Sequence, residues 1–253
     1  MSGLKFRRGL PKMRLVYFLL VILSFHANAF EWTEVSLGLG VYRYDNIRVD
    51  NRKKFLKKDP IYEPVPIVQL RVGPFVINKD GAGFALLYFK KIKLVGVAIY
   101  EGEAYETLGM EERKKSFYLG GGFQFYDLEG LYYQDVQSRS RGKVYKLSYA
   151  PKLTFNQYTF SPRIYAQLWN QNYVDYFFGV RSNEVNQAIG RFQFTGKKSI
   201  NYGFMLRNIW TVENLKYVLS AGYKFYDKSV YNSPTVSKDI EQRIFLGIMY
   251  KLY

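Results

Sequence analysis

The chain has 253 residues, 37 lysines and arginines against 21 aspartates and glutamates, and a formal net charge of +16. It has no cysteine and one histidine, His26, which excludes disulfides, thiol nucleophiles and Cys/His zinc sites. His26 falls in an apparent export signal, so the mature chain has no imidazole to serve as a general base near neutral pH.

That signal is the first element, residues 1–29. Lys5, Arg7, Arg8, Lys12 and Arg14 form a basic start, Leu15 to Phe25 an apolar run, and Ala27-Asn28-Ala29 a small–x–small cleavage site. The run is too short for the ~20 residues that cross a bilayer as a helix, which disfavours the alternative of a membrane anchor. A lipoprotein signal would need a cysteine. The mature part, residues 30–253, is expected to be a single β-barrel.

From there the pattern has period two. Val35, Leu37, Leu39 and Val41 alternate with Ser36, Gly38 and Gly40. Strands are predicted near 33–45, 65–72, 74–78, 81–89, 92–101, 115–126, 128–138, 142–156, 158–170, 201–212, 214–227 and 241–252. The fold class is all-β: a transmembrane antiparallel up-and-down barrel of about twelve strands, with ten as the alternative. Segment 74–78 is the weak member. If it merges with 81–89, then 187–197 must supply a strand, and 171–186 moves to the periplasmic side. A soluble lipocalin-like barrel or sandwich would show the same alternation with the faces exchanged. The export signal, the 24 tyrosines and 20 phenylalanines, and the final strand favour the membrane. In that strand Ile244, Leu246, Ile248, Tyr250 and Leu252 share a face; Tyr250, Leu252 and Tyr253 are the candidate signal for the barrel-assembly machinery. The connections agree, with short inner turns and the long segments 46–64, 102–114, 171–200 and 228–240 all on the outer side.

Candidate functional residues lie in the loops and the lumen. Segment 171–200 carries Tyr173, Val174, Asp175, Tyr176, Phe177, Phe178 and Gly179, too apolar for a free loop. It is expected to fold back on the barrel mouth or inner wall, as a gate, a ligand platform or a space-filling plug. Asp175 is then expected to pair with a lumen arginine, Arg163 or Arg207. These two charges, with Lys152, would make a lumen that favours anions. Arg48, Arg52, Lys53, Lys54, Lys57 and Lys58 make a basic outer loop suited to lipopolysaccharide phosphates, or simply a solvated one. Glu101, Glu103, Glu106, Glu111 and Glu112 crowd one segment, but Arg113, Lys114 and Lys115 follow, which suits a solvated loop better than a carboxylate pair for glycoside chemistry. Asp59, Glu63 and Asp80 lack a calcium-loop spacing, and Gly120-Gly121-Gly122 reads as small lumen-facing residues rather than a phosphate loop. No catalytic, cofactor or metal residue is assigned, and nucleic acid is not an expected partner in that compartment.

Specific motifs add a resemblance. Ser161-Pro162 and Trp169 lead into Asn172-Tyr173-Val174-Asp175-Tyr176-Phe177-Phe178-Gly179-Val180, similar to the D-Y-Y-Y-G-V segment of the MipA/OmpV outer-membrane family. Tyr226-Asp227 followed by Asn232-Ser233-Pro234-Thr235-Val236 resembles the family's G-D-A-x-x-S-P-[IV]-V loop, and Leu108-Gly109-Met110 its L-G-x-[IM] loop. There are departures: Tyr226 stands where the family has glycine, Phe177-Phe178 where it has tyrosines, and Tyr250-Lys251-Leu252 with Tyr253 added where it ends aromatic–x–Phe. The resemblance implies a non-catalytic outer-membrane barrel. One family role it implies is a scaffold linking a murein hydrolase to a murein synthase; adhesion and stress responses are others. A small channel is the alternative function.

Overall fold

A computed structural model describes residues 32–52, 59–78 and 81–252. The signal segment 1–29, Lys53, Lys54, Lys57, Lys58, Asp80 and Tyr253 lie outside them. The described strands are β1 (Trp32–Tyr44), β2 (Ile61–Val72), β3 (Phe75–Asn78), β4 (Gly81–Phe89), β5 (Ile92–Glu101), β6 (Ser116–Phe125), β7 (Leu128–Asp135), β8 (Lys143–Tyr149), β9 (Leu153–Phe155), β10 (Tyr158–Trp169), β11 (Ser199–Val212), β12 (Leu215–Phe225) and β13 (Ile240–Lys251). Each pairs antiparallel with its neighbours. The first and last pair from Ser36–Lys251 to Tyr44–Arg243, and β10 pairs with β11, so the sheet closes.

The short strands β8 and β9 both lie against β10 and form one stave, interrupted at Ala150–Lys152. Counted that way, the barrel has twelve staves. Segment 75–78 is a strand in its own right, whereas 187–197 is not: it holds a 3-10 turn (Gln187–Ile189) and isolated bridges. The strand β2 begins at Ile61, four residues before its predicted start near 65, because Ile61–Pro64 stay in register with Tyr44–Val41. Among the described residues the outer half of β2 pairs only with β1, since β3 reaches no further than Leu70. Pro64 and Pro66 fall in that half. A proline has no N–H to leave unpaired, which suits such an edge.

The two faces are sorted as lipid requires. Leu37, Leu39, Val41, Tyr145, Leu147, Ile164, Leu206, Leu219, Leu246 and Ile248 are all exposed on the outer wall. The alternate positions point inward and carry Ser36, Ser148, Ser220, Arg163, Arg207, Lys216, Lys224, Glu241 and Arg243. A soluble barrel would place these sets the other way round. No helix among the described residues is long and apolar enough to cross a membrane; the crossing is made by strands.

Five inner connections are two-residue turns, Gly73-Pro74, Lys90-Lys91, Tyr126-Asp127, Asn156-Gln157 and Glu213-Asn214. Their first residues have φ of 56°, 54°, 52°, 50° and 51°, the sense that matches the right-handed twist of flanking strands. Gly73 takes this conformation without strain, while Lys90, Tyr126 and Glu213 bear a local cost. The long connections gather at the opposite end.

The pairing of β1 with β13 closes the sheet and leaves neither terminal strand free to fray. Unboiled protein is expected to migrate differently from boiled protein on a detergent gel, and identical migration would contradict closure.

Candidate functional site

The outer end of the barrel is covered by α1 (Gln171–Phe178), which follows β10 directly. Asn170 caps it: its side-chain oxygen accepts the Tyr173 N–H at 3.1 Å and also the Lys143 N–H of β8 at 2.8 Å. The cap ties the helix start to two staves and so sets its phase. Tyr173, Val174, Phe177 and Phe178 fall on one face, and each is at most 1% exposed. Tyr176 is half-buried; its hydroxyl accepts the Lys114 N–H at 3.1 Å. Gly179 is buried where a Cβ would stand 2.3 Å from the Asp175 carbonyl oxygen, so only glycine fits.

Asp175 does not meet a lumen arginine. It lies on the exposed face of α1, and its Oδ1 accepts the Gly196 N–H at 2.8 Å. The expected pairing fails for two physical reasons. The capped phase turns Asp175 away from the barrel. Arg163 and Arg207 also sit well down their staves, about 20 Å and 26 Å along the strand from the outer ends at Trp169 and Ser199, at ~3.3 Å per residue.

The buried face of α1 meets the wall around the ring. Its cluster takes Tyr118 from β6, Tyr133 from β7, Val144 from β8, Trp169 from β10, Ile47 from beyond β1, and Tyr226, Val230 and Val236 from the β12–β13 connection. That connection contains α2 (Lys228–Tyr231). Trp169 lies 4.6 Å from Tyr173 and stacks on Phe178 at 5.9 Å. Tyr173 meets Phe177 at 4.7 Å. These are the spacings at which aromatic pairs attract beyond their burial.

One cation fastens the helix. Arg48 is 7% exposed. It donates to the Phe177 carbonyl at 2.9 Å, to Thr235 Oγ1 at 3.0 Å and to the Glu103 carbonyl at 3.4 Å. Its guanidinium also lies 4.0 Å over the Phe178 ring and 4.8 Å over Tyr105. The Phe177 carbonyl is in the last turn of α1, where the helix carries partial negative charge. Ser233 Oγ donates to the next carbonyl, that of Phe178, at 2.6 Å. Burial lowers the Arg48 pKa, and Glu103 opposes that effect. Burial would raise Glu103, but Lys224, Arg243 and Arg48 outweigh it and hold its carboxyl at about 2. Lys224 Nζ reaches Glu103 at 3.3 Å and lies 4.5 Å over the rings of both Trp169 and Tyr226. Burial raises Tyr226, whose hydroxyl donates to Glu241 at 2.6 Å.

A second lock lies further out. Arg113 and Glu184, 1% and 3% exposed, pair at 2.8 Å, and Arg191 Nε donates to the Glu184 carbonyl at 2.8 Å. Burial pushes Glu184 up, but the Arg181 N–H and the Arg113 guanidinium bring it below its usual value.

The other sequence candidates are dispersed. Arg48 was grouped with an outward basic loop and is instead buried in the mouth, because its segment bridges to Val236; Arg52 is exposed. Arg163 and Arg207 point into the lumen, half-buried, and Arg207 Nε donates to Ser220 Oγ at 3.3 Å. Tyr250 and Leu252 are exposed, with Tyr250 opposite Leu37 at the closing seam. Glu101 accepts the Tyr133 hydroxyl at 2.7 Å. Among the described residues no group of three or more His, Cys, Asp or Glu could hold a metal ion. A concavity of about 940 Å³ is an apolar hollow on the outer wall lined by Leu39, Pro66, Trp210, Leu219 and Leu246 among others. It is not in the lumen. Sequence reasoning named Trp169, Glu103, Tyr226 and Thr235 separately and Lys224 not at all; it did not bring them together, because their proximity depends on the closed sheet. The Ser233-Pro234-Thr235 motif was the available signal.

Phe177→Ala is expected to cost about 3–5 kcal/mol, through lost transfer energy and a cavity, and to expose segment 171–200 to protease. Unchanged stability and proteolysis would mean the ring is not packed. Glu103 should act through pH. A depressed carboxyl stabilises above its unfolded value, near 4.5, and that contribution is lost as the pH falls toward about 2. The stability gap between wild type and Glu103→Gln should therefore be full near neutral pH and shrink in acid; denaturant unfolding at both pH values checks it.

The family described as MltA-interacting protein MipA matches residues 26–252. No curated protein matches the chain. Among solved structures it is similar to the outer membrane channel DcaP of Acinetobacter baumannii, at 8% identity and a TM-score of 0.37 over 88% of this chain and 99% of that one. It is also similar to OmpT of Vibrio cholerae, at 8% identity and a TM-score of 0.36 over 88% and 98%. OpdK of Pseudomonas aeruginosa, solved with vanillate, follows at 8% identity and a TM-score of 0.32 over 87% and 98%.

Proposed function

This chain belongs to the MltA-interacting protein MipA family, and on that ground we propose that it is a non-enzymatic barrel of the outer membrane, exported through residues 1–29, that scaffolds peptidoglycan metabolism by holding a murein hydrolase and a murein synthase at the wall. The family's description names an interaction with one such partner. The observation that carries the reading to this chain is the covered mouth. With Trp169, Tyr173, Phe177 and Phe178 buried across the outer end, the free faces of the barrel are its lipid-facing wall and its inner end, and the inner end is the side of the peptidoglycan. The lack of any histidine or cysteine beyond His26 supports a role without catalysis. Outer-membrane lipid, lipopolysaccharide and the barrel-assembly machinery are the remaining partners of such a barrel.

The second reading is a small anion-favouring channel. Arg163 and Arg207 favour it, since both are half-buried in the lumen below the cover. One preparation separates the two. The folded full chain, incubated with periplasmic extract, should retain a murein hydrolase or synthase, and the same sample should give no conductance steps in a planar bilayer. Steps without retention would replace the scaffold with the channel.

A further inference from the structure

We propose that the lumen carries an oxyanion site formed by Arg163 and Arg207, suited to a phosphate group and reached from the end of the barrel that bears the two-residue turns. The site rests on the barrel fold alone and stands or falls separately from the scaffolding role.

The register of two staves builds it. Arg163 of β10 stands opposite Met205 of β11, and Ser161 stands opposite Arg207. The two arginines are therefore diagonal neighbours on one inward face, about 7–8 Å apart, within reach of each other for side chains this long. Between them lies a niche of about 10 Å³, lined by Ser161, Arg163, Met205 and Arg207. That is room for a single oxygen atom. Arg207 is anchored at Nε by Ser220 Oγ, 3.3 Å away.

Three inward cations face carboxylates: Lys216 pairs with Glu34, Lys224 with Glu103 and Arg243 with Glu241. Arg163 has no carboxylate within ion-pair distance among the described residues, and its nearest charged neighbour along the register is another guanidinium. Guanidinium forks match an oxyanion two oxygens at a time. A phosphate has enough acceptor oxygens to seat one in the niche and serve both forks, with Ser161 as a further donor. A carboxylate, with two oxygens, serves one fork well. A halide offers no directed acceptors. Both arginines are half-buried, so water and a small solute reach them, while the low-dielectric wall strengthens the attraction over that in bulk water.

The test is calorimetric titration of inorganic phosphate into the folded full chain in detergent, at constant ionic strength, with acetate and chloride as parallel titrants. Saturable binding of phosphate is expected, tighter than acetate, with chloride negligible. Arg163→Gln and Arg207→Gln should each weaken it by about tenfold or more. Arg163→Lys, which keeps the charge without the fork, should fall between. Lys146→Gln, which removes an inward charge from β8, should leave it unchanged. Retained gel mobility of the unboiled variants reports that each has folded, and Arg163→Lys carries the test should Arg163→Gln fail. No saturable binding by wild type, equal binding of chloride, or a loss in Lys146→Gln matching that in Arg163→Gln overturns the site.

Discussion

In hydrocarbon, an unpaired backbone N–H or C=O has no water to turn to, and each costs several kcal/mol. That constraint organises this chain. It requires β1 to find β13, joining the first and last described strands across nearly the whole sequence. It also explains where the prolines stand. Pro64 and Pro66 fall in the half of β2 that has β1 on one side and no described strand on the other, where a missing donor costs nothing and a present one would be stranded. Pro151 acts differently. It interrupts the ladder between β8 and β9 at Ala150–Lys152, and the Ala150 N–H is taken up by the Asp127 carbonyl at 2.9 Å.

Closure then decides the side chains. Once lipid takes one face of a period-two strand, most polar residues of that strand, Asn208 on the outer face of β11 being an exception, go to the lumen. Charges confined there are only partly hydrated, so most must be matched. The ion pairs of Lys216 with Glu34 and Arg243 with Glu241 meet that need within the wall. Near the mouth, matching draws in the loops: Lys224 from β12 takes Glu103 from the β5–β6 connection, and Arg48 from the β1–β2 connection takes the end of α1. Buried ion pairs add little net stability over apolar packing. The aromatic cluster supplies the burial, and Arg48, Glu103 and Lys224 fix which loop lies against which.

Much of this was legible in sequence, and the limit falls at a definite place. Period two, turn chemistry and connection lengths are local properties, and they located the staves closely, including the short 75–78 strand. The start of β2 was set too late, near 65, because the register that keeps Ile61–Pro64 against Tyr44–Val41 is a property of the strand pair and not of the segment. The mouth shows the same division. The aromatic content of 173–178 marked a segment that cannot stay in water. The phase of its helix was not legible, because it depends on Asn170 binding the Lys143 N–H of a different stave. Asp175 was therefore assigned a partner it does not reach, and Arg48 was counted with an exposed loop.

The energetics of the mouth bear on how the two functional readings relate. Trp169, Tyr173, Phe177 and Phe178 are essentially fully buried. An aromatic side chain buries about 150–250 Å², and at roughly 25 cal/mol per Å² exposing four of them costs on the order of 15–25 kcal/mol as an upper estimate. A thermal fluctuation does not supply that, and a ligand could drive it only through a difference in affinity of the same size between the closed and open forms. Displacing α1 is therefore an unsuitable route for solute, and the proposed oxyanion site requires the lumen to be a blind well, entered and left at the inner end. Such a well can bind without conducting. The lumen charge and the covered mouth thus cease to compete as indicators of function: the arginines can serve a ligand from below while the closed outer face leaves the barrel free to act as a platform.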